Sequence, residues 1–175
     1  MNTLSHRTER SMFGRVLGIS LGLICLFLSQ EVSAQKKKTT SSDLERNKEL
    51  VRSFFRATES GDFGDNFDKI VAEDYKDHLR GQEPGRDNLK AYLKGVRNGF
   101  PDMKWPIYYI IAEGDLVVVF NSFEATHAND FGPWKATGKR VKMDAFQLYR
   151  IVDGKLAEHW EIPDLVTLQK QLESK

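Results

Sequence analysis

The spacing of apolar residues changes near Lys104, and this change limits the chain to a small number of fold classes. Before it, apolar side chains recur every three or four residues, as on one face of an α-helix. After it, they alternate with polar ones, as in a β-strand with one buried face. Helices followed by antiparallel strands indicate an α+β fold, in which a curved sheet packs against helices on one face.

Local signals place the helices and strands of this fold. Ser42 and Glu45 have the spacing of a capping box, which starts a helix. Asp153 and Gly154 form a strong signal for a tight β-hairpin. The predicted helices span residues 42–60, 66–71 and 87–98, with a last helix from about Asp164, and a polar loop is predicted over 75–85. The predicted strands span residues 105–111, 116–125, 140–151 and 155–162, paired as two hairpins.

The N-terminal segment has the three parts of a signal peptide. Basic residues precede a continuous apolar run from Val16 to Leu28, and Ser33 and Ala34 are small enough for cleavage before Gln35. The apolar run is shorter than the about 20 residues that a membrane-spanning helix needs. The segment therefore predicts a secreted or periplasmic protein that meets a membrane only through this peptide before cleavage.

Cleavage after Ala34 divides the chain into a signal peptide (1–34), a flexible leader (35–43) and a single domain (44–175). The part from residue 35 onward carries equal numbers of basic and acidic residues, which argues against nucleic acid as a partner. Cys25 is the only cysteine and leaves with the signal, so neither disulfides nor a thiol nucleophile are expected.

Six short segments, in their order and spacing, carry a family resemblance. They are Asp74–His78, Phe100–Met103, Ile111–Asp115, Ala125–His127, Thr137–Lys139 and Tyr149–Glu161. Together they resemble the SnoaL-like polyketide cyclase (ester cyclase) family of the nuclear transport factor 2-like superfamily. The resemblance implies a cone-shaped α+β barrel, in which a curved antiparallel sheet wraps over the N-terminal helices around an apolar cavity. It also implies aldol-type ring closure promoted by an acidic residue, without a metal or an organic cofactor.

The resemblance implies an acidic residue on the last strand or just after it, where this chain has Glu161 and Asp164. Family members usually carry aspartate directly after the His-Trp pair, and here glutamate takes that place. His159 lies two residues from Glu161, so both side chains leave the strand on one face, roughly 7 Å apart. The alternatives are a solvated Glu161, with Trp160 packed inside, and an Asp164 that only caps the last helix.

The neighbours of His159 on the adjacent strand depend on the hairpin register, and two registers are open. A two-residue loop places Leu148 beside His159, whereas a three-residue loop places Gln147 there. The second register gathers Gln147, Tyr149, His159 and Glu161 on one face of the sheet.

Further residues are predicted to bind the substrate. They are His78, His127, Asp144, Gln147 and Trp160. Both histidines lie in or beside loops that could rim a pocket mouth, and the alternative for each is a surface or loop-anchoring role. Asp144 is a carboxylate within an apolar strand, where it either faces solvent or is a perturbed cavity group. The many aromatic residues are suited to a small apolar or polycyclic ligand. Because the histidines and carboxylates lack the spacing of a metal site, no metal or cofactor is predicted.

These observations leave three hypotheses for function. The first is an exported SnoaL-like enzyme of the cyclase or isomerase type, which moves a proton on a small apolar carbonyl compound. The second is a non-catalytic carrier or sensor that uses the same cavity. The third is a structural subunit whose open sheet face forms a homodimer. Because polyketide assembly is cytoplasmic, export weakens the specific assignment as a polyketide cyclase.

Overall fold

The computed structural model describes residues 39–79 and 81–174. The predicted signal peptide and its cleavage site lie outside these residues. The helices are α1 (Ser41–Ser60), α2 (Asp65–Ile70), α3 (Arg86–Gly99) and α4 (Leu165–Glu173). The strands are β1 (Val71–Asp77), β2 (Ile107–Glu113), β3 (Leu116–Thr126), β4 (Arg140–Val152) and β5 (Lys155–Pro163). Within the described ranges, every helix is too short or too polar to cross a membrane.

Helix α1 begins with a capping box two residues earlier than the sequence predicted. The Thr40 side chain accepts from the Asp43 amide, and the Asp43 carboxylate accepts from the Thr40 amide. The predicted cap at Ser42 was wrong because Thr40 and Asp43 have the same spacing, with aspartate in place of glutamate. The last residues of the predicted leader are therefore helical. Gly61 ends the helix at a φ of 76°, which glycine adopts without strain.

The five strands form one sheet in the order β1-β5-β4-β3-β2. All neighbours are antiparallel except β1 and β5, which pair in parallel. Helices α1, α2 and α3 pack on the inner face of this curved sheet and share one apolar core with it, around Phe54, Phe67 and Leu93. Helix α4 adds Leu168 and Leu172 to a second apolar cluster. The predicted α+β class, with a curved sheet over N-terminal helices, is confirmed.

Strand β1 was not predicted. Its residues Val71 and Tyr75 are buried, but two of the three residues between them are exposed acids, so apolar alternation is absent. The strand forms because β5 offers a free edge, along which Asp77 pairs with His159. The first part of the predicted loop 75–85 thus belongs to the sheet.

The β4–β5 hairpin has a register that neither sequence alternative anticipated. Asp153 and Gly154 form a two-residue turn, with φ values of 49° and 74°. Beyond Ile151 and Leu156 the register shifts, because β5 contains one extra residue at Ala157. This irregularity changes which residues of the two strands lie opposite each other farther from the turn.

Past the irregularity, Tyr149 lies opposite His159 and Gln147 lies opposite Glu161. The two-residue loop of the first alternative is confirmed next to the turn, but the partners that either register gave to His159 and Glu161 were wrong. The four side chains nevertheless leave the sheet on its inner face, as the three-residue alternative required.

A second register shift, in β2, changes the side of the sheet to which its residues point. The pairing with β3 is irregular between Ile107 and Tyr109. As a result Ile110 and Ala112 pack against the core, whereas Tyr109 and Ile111 are 69% and 66% exposed. The convex side of the sheet therefore carries an exposed apolar surface, here called the outer sheet face. It comprises Tyr108, Tyr109, Ile111, Val118, Phe146 and Ile162.

Candidate active site

A cavity lies between helices α1 and α3 and the inner faces of β1, β4 and β5. The empty space between its lining atoms is about 520 Å³, a volume that includes space open to solvent at the mouth. The lining residues are Phe54, Phe55, Thr58, Tyr75, Asp77, Leu79, Leu89, Tyr92, Leu93, Val96, Trp105, Gln147, Tyr149, His159 and Glu161. The helices supply mostly apolar side chains and the strands supply the polar ones. A largely apolar cavity with a few converging polar groups is the usual form of a small-molecule site.

His159 and Asp77 form a buried pair at the base of this cavity. The Nδ1 atom of His159 lies 3.1 Å from Oδ2 of Asp77, and their side chains are 9% and 8% exposed. The other Asp77 oxygen accepts from the Leu79 amide at 2.9 Å. Asp77 was absent from the predicted site residues, although it lies within the Asp74–His78 segment of the family resemblance. The unpredicted strand β1 is what brings it to His159.

A chain of hydrogen bonds fixes the other side of the His159 ring. The Asn121 amide nitrogen donates to the backbone carbonyl of Ser122 at 3.2 Å, so Asn121 Oδ1 faces Gln147 and accepts from its Nε2 at 3.0 Å. Gln147 Oε1 consequently faces His159 Nε2, at 3.2 Å, and also accepts from the Tyr149 hydroxyl. The backbone carbonyl of Ser122 thus determines the orientation of both side-chain amides, those of Asn121 and Gln147.

The consequence for His159 is that both ring nitrogens face acceptor oxygens. One is the Asp77 carboxylate and the other is the Gln147 amide oxygen. Both contacts are hydrogen bonds only when both nitrogens carry hydrogen, as in an imidazolium. The two contacts hold the ring between Asp77 and Gln147 in one orientation.

Glu161 is the acidic group best placed for chemistry in the cavity. It lies two residues beyond His159 on β5, and both side chains line the cavity. Burial raises the pKa of Glu161, the charge of His159 opposes this, and the charge of Asp77 adds to it. The neighbouring polar groups bond to one another rather than to its carboxylate: His159 contacts Asp77 and Gln147, and Tyr149 donates to Gln147. Glu161 is thus a carboxyl that titrates closer to neutrality and has its oxygens free.

Three tyrosines surround these charges. Burial raises the pKa values of Tyr75 and Tyr149 well above the usual range, and the nearby carboxylates add to the effect. Burial also raises the pKa of Tyr92 to about 12. All three hydroxyls therefore keep their protons at neutral pH and are available as hydrogen-bond donors.

Asp164 and Asp144, two carboxylates named from the sequence, lie away from the cavity lining. Asp164 caps helix α4, accepting from the Thr167 amide at 3.0 Å and its hydroxyl at 2.6 Å. These hydrogen bonds lower the pKa of Asp164. Asp144 is exposed on the outer side of β4, where its carboxylate accepts from the Tyr108 hydroxyl at 3.5 Å. Asp164 therefore caps a helix and Asp144 faces solvent, as the alternatives for these two residues stated.

His78 and Trp160, predicted to bind the substrate, lie on the opposite side of the sheet from the cavity. Their rings stack with centroids 4.3 Å apart, and His78 Nε2 lies 2.9 Å from a Glu158 oxygen. Trp160 points outward because it alternates along β5 with His159 and Glu161, which point inward. Both side chains face away from the cavity, so they do not contact a ligand bound there as predicted.

His127 also lies outside the cavity, in the second apolar cluster. It is completely buried, its ring stacks on Phe100 at 5.1 Å, and its Nδ1 lies 3.1 Å from the Thr137 hydroxyl. Its backbone pairs with Gly138 and Lys139 at the end of the following loop. This is the loop-anchoring alternative, and it explains why His127 does not rim the pocket mouth.

As for metals, no three His, Cys, Asp or Glu side chains converge into a metal-binding cluster anywhere in the described part of the chain. The polar groups of the cavity are instead two carboxyls, one imidazole, one indole, one alcohol hydroxyl, two amides and three phenols, counting Asn121 behind the lining. Such a set is suited to proton transfer and to hydrogen bonding with an oxygen-bearing ligand.

The fold and the cavity together define a pocket protein of the nuclear transport factor 2-like class. Its family follows from the sequence match: the model of the SnoaL-like polyketide cyclase family matches residues 48–172, and the chain belongs to this family. No match is found among the curated proteins.

Several solved structures are similar over most of the domain. A candidate polyketide cyclase from Acidithiobacillus ferrooxidans is 30% identical, with a TM-score of 0.66, over 73% of this chain and 94% of that chain. IdmH, a candidate polyketide cyclase from Streptomyces antibioticus, is 28% identical, with a TM-score of 0.65, over 72% and 97%. AclR, a candidate hydroxylase from Streptomyces galilaeus, is 26% identical, with a TM-score of 0.67, over 75% and 98%.

Proposed function

We propose that this protein is an exported, cofactor-independent enzyme of the cyclase or isomerase type, which moves a proton on a small apolar carbonyl compound. The observation that carries the proposal is the state of Glu161. Burial raises the pKa of its carboxyl, and the side chain lines an apolar cavity. The described polar groups around it bond to one another and leave its oxygens available. A general base near neutral pH needs these properties.

In the proposed reaction, the Glu161 carboxylate removes a proton from the carbon next to the ligand carbonyl. When both of its ring nitrogens carry hydrogen, His159 stabilises the negative charge that is carried first by Glu161 and then by the ligand. Asp77 and Gln147 hold the imidazole in one orientation. The aromatic walls formed by Phe54 and Phe55 exclude water, which strengthens these electrostatic interactions.

The family supports acid/base chemistry of this kind but does not define the reaction. Two of the similar structures are described as candidate polyketide cyclases, whereas AclR is described as a candidate hydroxylase. The proposal therefore depends on the side chains of this cavity rather than on the name of the family.

Hydrogen–deuterium exchange provides a test that does not need the natural substrate. The probe is 2-tetralone, a two-ring apolar ketone, dissolved in D2O with the purified domain, and NMR follows loss of the protons next to its carbonyl. We expect the wild-type protein to accelerate exchange over buffer, and Glu161→Gln to lower the catalysed rate by about 100-fold. Equal catalysed rates in both proteins would exclude Glu161 as the base.

Asp164→Asn is the matched control for this experiment. It removes the other carboxylate that the sequence suggested as an acid/base, while asparagine still caps a helix well. We expect exchange by Asp164→Asn to equal that of the wild type. A loss as large as that of Glu161→Gln would move the acid/base role to Asp164.

The second candidate is a carrier that binds small apolar compounds in the same cavity without changing them. Export favours this function, because an exported protein would be separated from cytoplasmic polyketide assembly. A carrier would bind 2-tetralone and gain thermal stability from it, yet leave its exchange rate at that of buffer. The same samples therefore distinguish the two functions.

Export and self-association are parts of the proposal with their own tests. Mass spectrometry of the protein recovered outside the cytoplasm should give an N-terminus at Gln35, and a chain that keeps residues 1–34 in the cytoplasm would contradict export. The outer sheet face is the surface that we propose to form a homodimer, since it exposes six large apolar side chains.

A further inference from the structure

The hydroxyl of Tyr75 is a buried donor without a partner. The residue is 1% exposed, and no acceptor within the described part of the chain lies in hydrogen-bonding distance of its Oη atom. Tyr149 is equally buried in the same cavity, but its hydroxyl donates to Gln147. Because buried hydroxyls are nearly always hydrogen-bonded, the exception at Tyr75 requires an explanation.

The position of Tyr75 connects this hydroxyl to the proposed acid/base group. Tyr75 lies two residues before Asp77 on β1, so both side chains leave the strand on the inner face. Tyr75 and Glu161 line the same cavity, and the charges of Asp77 and Glu161 both act on the phenol. The hydroxyl keeps its proton and therefore donates rather than accepts in the presence of these carboxylates.

Trp105 supplies a second observation of the same kind. Its indole Nε1 is also buried, has no acceptor among the described residues and belongs to a side chain that lines the cavity. Indole N–H is a donor only. Two unpartnered donors on the wall of one cavity indicate a ligand that brings acceptor oxygens.

We infer that Tyr75 donates a hydrogen bond to the carbonyl oxygen of the cavity ligand, and that the cavity selects ketone- or ester-type compounds over hydrocarbons of the same shape. This inference rests on the proposed function for its catalytic part. When Glu161 takes the proton, the C–H electron pair forms a C=C bond and the carbonyl π pair moves to oxygen. Tyr75 then holds the resulting enolate oxygen, and no oxidant or other reactant is consumed.

Two pairs of probes test the inference, each consisting of a ketone and a hydrocarbon of nearly the same shape. They are acetophenone with ethylbenzene, and 2-acetonaphthone with 2-ethylnaphthalene. Dissociation constants are measured by calorimetry for the wild type, Tyr75→Phe and the control Tyr109→Phe, whose ring is exposed on the outer sheet face. We expect the wild type and Tyr109→Phe to prefer the ketone by about 3- to 10-fold, and Tyr75→Phe to lose this preference.

Infrared spectroscopy of the ketone, labelled with ¹³C at the carbonyl, reads the hydrogen bond directly. We expect its carbonyl band at lower wavenumber in the wild type than in Tyr75→Phe. This shift depends on the contact itself, so a merely structural role of Tyr75 would not produce it. A preference and a band position that are unchanged in Tyr75→Phe would overturn the inference.

The outcomes also separate the inference from the proposed function. If ketone preference depends on Tyr75 but 2-tetralone exchange equals that of buffer, Tyr75 binds the ligand and the enzymatic proposal fails. If exchange depends on Glu161 but not on Tyr75, and the preference persists in Tyr75→Phe, the inference alone fails. Absence of binding by all four probes in the wild type would contradict both.

Discussion

The Nδ1 atom of His159 lies 3.1 Å from a carboxylate oxygen of Asp77, although the two residues are 82 positions apart in the chain. Parallel pairing of β1 with β5 places them opposite each other. A second histidine–carboxylate pair, His78 with Glu158, lies on the other side of the same two strands at 2.9 Å. Its side chains are 38% and 28% exposed, against 9% and 8% for the inner pair. The two pairs thus have similar geometry but differ in burial, and Glu158 also pairs with Arg150 at 3.0 Å.

This difference predicts unequal costs of removing the carboxylate. Asp77→Ala leaves a buried imidazole and the Leu79 amide without their acceptor, and we expect the free energy of unfolding to fall by about 2–3 kcal/mol. Glu158→Ala removes a partly exposed carboxylate that contacts His78 and Arg150, and surface charge pairs of this kind typically contribute less than about 1 kcal/mol each. Urea denaturation of both variants measures the two losses. Equal losses would show that burial does not strengthen the inner pair.

The raised pKa of Glu161 predicts a specific pH dependence of stability. Below its ordinary value of 4.5 the carboxyl is protonated in both the folded and the unfolded protein, so it has little effect there. As pH rises above that value the unfolded state releases the proton more readily, and the folded state loses stability. Glu161→Gln removes this loss, so its stability relative to the wild type should increase between pH 4 and pH 8. A constant difference over this range would contradict the raised pKa.

Substitution by alanine should have opposite effects on stability at two glycines, Gly154 and Gly95. A Cβ atom at Gly154 or Gly95 would meet no other heavy atom within 4 Å, so neither substitution causes a clash. Gly154 has a φ of 74° in the hairpin turn, and alanine there should cost about 1–2 kcal/mol. Gly95 lies within α3, where alanine should stabilise by about 0.5–1 kcal/mol. Thermal unfolding of the two variants should shift in opposite directions, and a common direction would be inconsistent with a backbone origin.

The proposed homodimer predicts that a charge on the outer sheet face separates the subunits. Phe146 is 55% exposed there and stacks on Phe120 at 4.5 Å. Phe146→Glu should raise the dissociation constant by about 30-fold or more without changing the circular dichroism spectrum. Val166→Glu, at an equally exposed apolar position on α4, is the control and should leave association unchanged. Sedimentation velocity at micromolar concentration measures both, and a monomeric wild type would contradict the dimer.

The fold class could be predicted because its signals are local. Helical spacing, the Asp153-Gly154 turn and the strand alternation each depend on residues close together in the chain, and the structure contains the corresponding elements. Strand β1 could not be predicted in this way. Its stability depends on pairing with β5, about 80 residues later, and its own side chains do not alternate.

The contents of the cavity were predictable only in part, because single-residue irregularities decide which way side chains point. The extra residue at Ala157 brings Gln147 opposite Glu161, a pair that neither simple hairpin gives. Asp77 was missed together with the strand that carries it. The positions of His78 and Trp160 on the outer side follow from simple alternation once Glu161 is placed inside.

The parallel pairing of β1 with β5 also has a consequence for the order of folding. Pairing between strands adjacent in sequence joins β2, β3, β4 and β5. Strand β1 instead pairs with β5, which is the last strand to be synthesised. Contacts between distant segments form slowly, since a long loop must close before they contribute any stability. We therefore expect Tyr75 and Asp77 to reach the cavity in the final stage of folding, so that amide protection of β1 would report when a newly made chain becomes competent to bind its ligand.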